Sequence, residues 1–293
     1  MNSSFIPKEK NFIKEIPLPK GALSIEVEYK AKSSYPVIPS PSIEGTIGKQ
    51  IVAPTYSQEQ HETWKKMLKR QQILVQEHLC EEYLLGTKAL KFPGDRIPTL
   101  AQSSIELEKC TQWQIIRAEG LVSPINFFAL LANKVFPCTD FIRHMDEIDY
   151  TPAPDTFHDQ IGHLPMLTNP RFAEFFHLFG IAGANAKTEE EISWFNRIYW
   201  FTVEFGLINP TAHHGKERKA QLTRIYGAGI ASSCGEIVYS LSSKVKKIPF
   251  DIDVIIETDF DIHHMQDQLF EISSFDELEN KFREWAKKKG FLQ

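Results

Sequence analysis

Residues 150–165 of this chain have the sequence YTPAPDTFHDQIGHLP. It places two histidines, His158 and His163, beside two aspartates, Asp155 and Asp159. Imidazole and carboxylate groups together suit a divalent transition metal. The stretch therefore predicts a metal centre.

The spacing of the two histidines restricts the kind of metal site. Residues five apart on an α-helix point about 140° away from each other, whereas residues four apart differ by about 40°. The HExxH zinc motif needs histidines four apart, so the spacing argues against it. We expect Gly162 to end the helix and turn His163 back toward His158. We expect Pro165 to prevent the helix from resuming.

A third ligand is predicted in WFTVEFGL, residues 200–207, where Glu204 stands among mostly apolar neighbours. A buried carboxylate without a partner is costly, so it is either protonated or bound to a cation. Two imidazoles and one carboxylate leave three octahedral positions open, as in the non-haem Fe(II) oxygenases. The alternatives are ordinary: a hydrogen-bonded histidine on a helix, and a buried glutamate in an ion pair.

Composition excludes several classes of protein. The chain has 293 residues, of which 42% are hydrophobic and 24% charged, with a net charge of −5. The charge gives no reason to expect nucleic acid or an anionic membrane as a partner, and no apolar run approaches the roughly 20 residues of a membrane span. The N-terminus does not resemble a signal peptide, and the four cysteines form no CxxC pair. We therefore expect reduced thiols and a cytoplasmic protein.

The pattern along the chain predicts an extended, flexible, proline-containing arm over residues 1–55 and one compact domain over residues 56–293. Ser57 is the predicted N-cap of a helix that runs to about Glu81. A core helix is predicted over 127–136 and a short strand over 254–258. Helices dominate and strands are few, so the predicted fold class is α+β, predominantly helical.

Three motifs in order carry a family resemblance: residues 150–165, IYWFTVEFGL at 198–207 and IYGAGIASS at 225–233. Together they resemble the catalytic domain of the tetrahydropterin-dependent aromatic amino acid hydroxylases, most closely the single-domain bacterial phenylalanine 4-hydroxylases. The resemblance covers about residue 56 to the C-terminus. It implies a mononuclear Fe(II), a tetrahydropterin cofactor, O₂ and an aromatic amino acid substrate.

The resemblance also implies roles for individual residues. His158, His163 and Glu204 match the iron ligands. Arg143 matches the arginine that binds the substrate carboxylate, and Asp155 is placed to hold that arginine. The remaining matches are the aromatic-pocket residues Pro154, Trp200 and Phe205, the pterin-binding residues Gly120, Leu121, Val122, Phe127 and Asp159, and Ser232 beside the first iron-bound histidine.

Two positions indicate which amino acid is hydroxylated. Trp200 is typical of the phenylalanine and tyrosine hydroxylases, and Ile262 stands where tyrosine hydroxylases usually carry Asp. The two positions together favour phenylalanine, giving tyrosine as product. The alternatives are the same reaction on tyrosine or tryptophan, a zinc hydrolase with Asp159 as general base, or an inactive metal-dependent binding protein.

The chain also departs from the family. Asp159 stands where the animal enzymes have Glu, and the family's tetramerisation helix has no counterpart, so we expect a monomer or weak dimer. Glu236, close to the predicted site, is interpreted as a structural ion-pair partner.

Overall fold

The computed structural model describes residues 55–118, 122, 124–148, 154–212, 222–262 and 264–293. All but the last residue of the predicted arm, 1–55, lies outside these ranges. The α-helices of the described residues, in chain order, are α1 (Gln58–His78), α2 (Glu81–Leu90), α3 (Leu100–Thr111), α4 (Pro124–Leu131), α5 (Leu164–Leu167), α6 (Pro170–Ala184), α7 (Glu189–Tyr199), α8 (Ala228–Ala231), α9 (Cys234–Leu241), α10 (Ile252–Ile255) and α11 (Phe275–Lys288).

The strands of the described residues form two small sheets. They are β1 (Gln114–Ala118), β2 (Val135–Thr139), β3 (Leu207–Ile208), β4 (Arg224–Ile225), β5 (Lys246–Pro249) and β6 (Gln268–Ile272). β1 and β2 pair in parallel, while the other sheet has the order β4-β3-β6-β5 with only the β3–β4 pair antiparallel. The predicted α+β, predominantly helical class is confirmed.

Capping explains where several helices begin. Ser57 is the N-cap of α1, as predicted, and forms a reciprocal capping box with Gln60. Asp251 caps α10 by accepting from the backbone N–H groups of Asp253 and Val254. That cap overrides the β-branched run after it, so the strand predicted over 254–258 is wrong.

The helix predicted over 127–136 is also wrong in its second half. α4 ends at Leu131, and Lys134 adopts a left-handed backbone conformation with φ of 56°. Pro137 follows within β2, every residue of which is buried. A left-handed residue and then a proline end the helix, so the apolar run continues as a strand paired with β1.

Helix α6 occupies the centre of the core. Phe172, Phe175, Phe176 and Phe179 are each at most 2% exposed and pack against α4, α7 and α11. Gly180 lets α4 approach closely, because a Cβ there would lie 2.4 Å from the Ala132 backbone nitrogen. This contact sets the position of α4 and of the Phe127 side chain that it carries. No helix among the described residues is long and apolar enough to cross a membrane.

Replacing Gly180 tests this close approach. Gly180→Ala forces a methyl group against the backbone of the α4 turn, so we expect the free energy of unfolding to fall by about 1–3 kcal/mol. Urea denaturation measures it. Gly94→Ala is the matched control, since a Cβ at Gly94 meets nothing within 4 Å. Equal stability of the two variants would contradict the packing described here.

Candidate metal centre and substrate cavity

The two histidines lie on a π-helical segment, His158–His163. A π-helix forms hydrogen bonds between residues five apart, so His158 and His163 share one face, with their Nε2 atoms 3.1 Å apart. The expectation that Gly162 ends the helix is wrong. Helical backbone continues through Leu164 into α5, and Pro165 stands in the first turn of that helix.

Gly162 allows close packing rather than ending a helix. A Cβ at this position would lie 2.8 Å from the carbonyl oxygen of Ala228 in α8. The missing side chain therefore lets the π-helical segment pack directly on α8, the helix that leads to Ser232. On the opposite side, the Tyr83 hydroxyl of α2 donates to the Ile161 carbonyl oxygen at 2.5 Å.

A second π-helical segment, Trp200–Glu204, supplies the carboxylate. The Phe205 backbone N–H donates to the Trp200 carbonyl oxygen, five residues earlier, at 2.9 Å. Glu204 Oε1 lies 3.1 Å from His163 Nε2, and Glu204 Oε2 lies 3.6 Å from His158 Nε2. Ligand atoms of all three side chains lie within 4.8 Å of one another, and no other such group is found among the described residues.

Electrostatics keep the carboxylate ionised. Burial alone would raise the pKa of Glu204, but His163 and His158 beside it hold that pKa well below its ordinary value. Burial likewise disfavours charged His158, yet the Glu204 carboxylate raises the pKa of this histidine overall. An anion that faces two imidazoles in a buried setting attracts a cation.

Ser232 orients one imidazole. Its Oγ lies 2.9 Å from His158 Nδ1 and donates to the Gly229 carbonyl oxygen at 3.3 Å. With its proton directed at Gly229, the hydroxyl accepts from His158 Nδ1–H, and this hydrogen bond favours the neutral tautomer whose Nε2 can bind a metal. Two imidazoles and a carboxylate form a donor set that fits Fe(II).

Arg143 and Asp155 form a buried bidentate ion pair. Arg143 Nε and Nη2 donate to the two Asp155 carboxylate oxygens, each at 2.8 Å, and the Arg143 backbone N–H donates to Oδ2 at 2.9 Å. Asp155 Oδ1 also accepts from the His158 backbone N–H at 3.0 Å. Burial opposes ionisation, but the Arg143 guanidinium lowers the pKa of Asp155.

These groups surround a cavity of about 720 Å³. Asp155 does not line it but lies behind Arg143, and Gly120 and Leu121 lie outside the described residues. The other predicted site residues all line the cavity: Val122, Phe127, Arg143, Pro154, His158, Asp159, His163, Trp200, Glu204, Phe205, Ser232 and Ile262.

Asp159, on the first π-helical segment, and Phe127, on α4, also line the cavity. Asp159 Oδ2 accepts from both the backbone N–H and the hydroxyl of Thr139, each at 2.7 Å. Burial nevertheless raises the pKa of Asp159. Phe127 contacts Tyr199 edge to face at 5.4 Å between ring centroids. Tyr199 lines the cavity and was not among the predicted site residues.

An aromatic stack forms another wall. The π-turn brings the Trp200 and Phe205 rings to 4.6 Å between centroids, and Phe260 stacks on Trp200 at the same distance with an interplanar angle of 19°. Phe260 was also missed, since no local pattern indicates a partner 60 positions away. Ile262 follows it at the rim, 57% exposed.

Comparison with known proteins agrees with this geometry. A family model described as biopterin-dependent aromatic amino acid hydroxylase matches residues 28–291. Phenylalanine-4-hydroxylase of Vibrio cholerae is 42% identical over 212 residues, covering 72% of this chain and 70% of that protein.

Solved structures agree as well. The phenylalanine hydroxylase of Chromobacterium violaceum with bound iron(III) and 7,8-dihydrobiopterin has a TM-score of 0.73 and 37% identity, over 81% of this chain and 84% of that one. The apo enzyme of Colwellia psychrerythraea has a TM-score of 0.72 and 33% identity, over 82% and 91%.

The Arg143–Asp155 pair generates a prediction about stability. Asp155→Asn leaves a buried guanidinium without its counter-charge, so we expect the free energy of unfolding of the metal-free protein to fall by about 3–5 kcal/mol at pH 7. Urea denaturation measures this loss. Glu62→Gln, which breaks the exposed pair with Lys65 at 3.6 Å, is the control and should cost less than about 1 kcal/mol.

The same variant has a defined pH dependence. Because the folded-state pKa of Asp155 lies below its ordinary value of 3.8, the ion pair stabilises the fold fully above that pH. The stabilisation is lost as the pH falls through the folded-state pKa. The difference in unfolding free energy between wild type and Asp155→Asn should therefore shrink below about pH 4. A difference that stays constant down to pH 3 would contradict the assignment.

Proposed function

This chain belongs to the biopterin-dependent aromatic amino acid hydroxylase family, and we propose that it hydroxylates L-phenylalanine to L-tyrosine, using O₂ and a tetrahydropterin at a mononuclear non-haem Fe(II). One observation carries the proposal: His158, His163 and Glu204 converge in the cavity that Arg143 also lines. The relatives named above support it, because they are phenylalanine hydroxylases. The Chromobacterium violaceum structure contains iron(III) and 7,8-dihydrobiopterin.

Iron and pterin together would supply the activation of O₂, and the chain supplies binding, orientation and exclusion of water. His158, His163 and Glu204 would hold the metal at the wall of the cavity. Ser232, by accepting from Nδ1–H, would keep the His158 Nε2 lone pair available for it. Ligand geometry is thus held by hydrogen bonds from the protein.

Arg143 binds the carboxylate of the amino acid. Asp155 occupies Nε and one N–H of Nη2, which leaves the Nη1 side of the guanidinium for the substrate. A guanidinium held rigidly in this way loses little freedom when it binds a carboxylate. Pro154, Trp200 and Phe205 form the wall that orients the aromatic ring, and Phe260 supports Trp200 from behind.

We assign the pterin to the part of the cavity that Phe127 and Asp159 line. Phe127 offers a ring for stacking, and the edge-to-face contact with Tyr199 holds that ring in place. Asp159, fixed by Thr139, presents a carboxyl group to the polar edge of the pterin. Val122 also lines the cavity, and we assign Gly120 and Leu121 to the same pterin-binding segment on the basis of the family resemblance.

We extend the proposal to the organisation of the protein. Residues 56–293 form the catalytic domain and residues 1–55 an arm. All four cysteines are free thiols, which fits a reducing cytoplasm. The apolar face of α11 is already covered, since Phe282 packs on Phe175 and Trp285 on Phe195. This internal packing favours a monomer or weak dimer.

A substrate panel tests the reaction. With Fe(II), O₂ and tetrahydropterin, we expect product from phenylalanine with a higher kcat/KM than from tyrosine or tryptophan, because Trp200 argues against tryptophan and Ile262 against tyrosine. Product is measured by chromatography. Product from none of the three with iron loaded would refute the hydroxylase assignment, and hydrolytic activity with zinc alone would favour a zinc hydrolase instead.

Replacing a metal ligand should lower the iron content more than replacing a residue that only contacts a ligand. Ser232→Ala removes only the group that orients His158 and should weaken iron binding about 10- to 100-fold. Glu204→Gln removes a ligand and should lose more iron than Ser232→Ala, with turnover lost in parallel. Iron content after equilibrium dialysis provides the measurement. Retention of iron by Glu204→Gln would remove Glu204 from the ligand set.

A further inference from the structure

The pattern Ser/Thr-x-x-Glu/Gln occurs at five helix N-termini of the described residues. In four of them the Glu or Gln side chain turns back and accepts a backbone N–H at or just before the N-cap. These pairs are Ser57 with Gln60, Thr99 with Gln102, Thr188 with Glu191, and Ser274 with Glu277.

The fifth case differs. Ser233 caps α9 and accepts from the Glu236 backbone N–H, but the Glu236 carboxyl does not return to the Ser233 backbone. It lines the cavity instead. Within the described residues this carboxyl has neither an ion pair nor a hydrogen bond, so the structural ion pair expected for Glu236 is absent. Burial without a partner raises the pKa of Glu236 to about 7.

The acidic groups of the cavity can be assigned one by one. Asp159, Glu204 and Glu236 are the carboxyl groups among the described lining residues. Glu204 faces the two histidines, and Asp159 is bonded to Thr139. Glu236 is the remaining carboxyl group, and it is the one for which the described residues provide neither a hydrogen bond nor an ion pair.

An α-amino acid brings a counter-charge of its own. Arg143 meets the carboxylate, and the ammonium group must be desolvated along with it, which is costly unless an acceptor is present. We propose that Glu236 binds the ammonium group of the amino acid substrate. The assignment rests on the proposed function. It makes the cavity selective for amino acids over aromatic acids that lack the amino group.

The surroundings of Glu236 suit this role. The segment before it contains Ser232, the partner of His158, so α9 begins beside the metal centre. Glu236 and its neighbour Gly235 both line the cavity. A Cβ on Gly235 would meet only the Met265 methyl group at 3.6 Å and the Ser233 hydroxyl at 4.0 Å, so no backbone closes the cavity at Gly235.

The test compares two ligands that differ by one group, L-phenylalanine and 3-phenylpropionate. Binding is measured calorimetrically on iron-loaded protein without pterin, so no turnover occurs. Glu236→Gln should raise the Kd of phenylalanine about 10- to 100-fold, the range expected for losing one charged hydrogen-bond partner. The Kd of 3-phenylpropionate should change less than about 3-fold, within the usual effect of a surface substitution.

Two further variants make the outcome unambiguous. Glu284→Gln, an exposed glutamate on α11, should change neither Kd. Glu236→Asp keeps the charge and should retain most of the preference for phenylalanine, and it serves for the comparison if Glu236→Gln does not fold. Equal effects of Glu236→Gln on both ligands, or an Asp variant without the preference, would overturn the assignment. Absence of phenylalanine hydroxylation by wild type would instead overturn the proposed function.

Discussion

The five-residue π-turn is the constraint on which the candidate site depends. It occurs twice, and each time it aligns side chains that an α-helix would separate by about 140°. In the first turn it brings His158 Nε2 to 3.1 Å from His163 Nε2. In the second it brings the Phe205 ring to 4.6 Å from the Trp200 ring, at an interplanar angle of 34°, and directs Glu204 at both histidines. A π-turn is less favourable than an α-turn, and close packing compensates: Gly162 lies against Ala228, and Tyr83 bonds Ile161.

Asp155 connects the metal side of the cavity to the substrate side. Its carboxylate accepts the Arg143 guanidinium and backbone on one side and the first N–H of the histidine turn on the other. Four hydrogen bonds to one fully buried carboxylate leave it little freedom to move. The position of the guanidinium relative to His158 is therefore fixed before any ligand enters. Preorganisation of this kind matters because a displacement of 1 Å between a substrate and its reactive partner can cost a large factor in rate.

Helices, their caps and the types of metal-binding residue were predicted from the sequence more accurately than the local backbone geometry was. Caps such as Ser57 and the amphipathic helices depend on local interactions, which a sequence pattern records. The metal-ligating types were recognisable because a carboxylate among apolar neighbours needs a cation. Histidine spacing alone does not tell an α-turn from a π-turn, since the choice depends on contacts with Ala228 and Tyr83, far along the chain. The strand at 135–139 and the stacking of Phe260 on Trp200 depend on tertiary contacts in the same way.

In the binding mode proposed above, the cavity separates the charges of an amino acid from its ring. Arg143 and Glu236 offer opposite charges for the zwitterionic end, and the Trp200 stack receives the aromatic end near the metal ligands. Of the two charged groups, Arg143 is neutralised in the free protein by Asp155, whereas Glu236 carries a desolvation cost with no compensation until a cation enters. A buried carboxyl without a partner contributes little to folding stability. It contributes much to selectivity between ligands, because only a ligand with an ammonium group compensates its desolvation cost. On this proposal, the Glu236 side chain serves substrate recognition rather than the capping of α9.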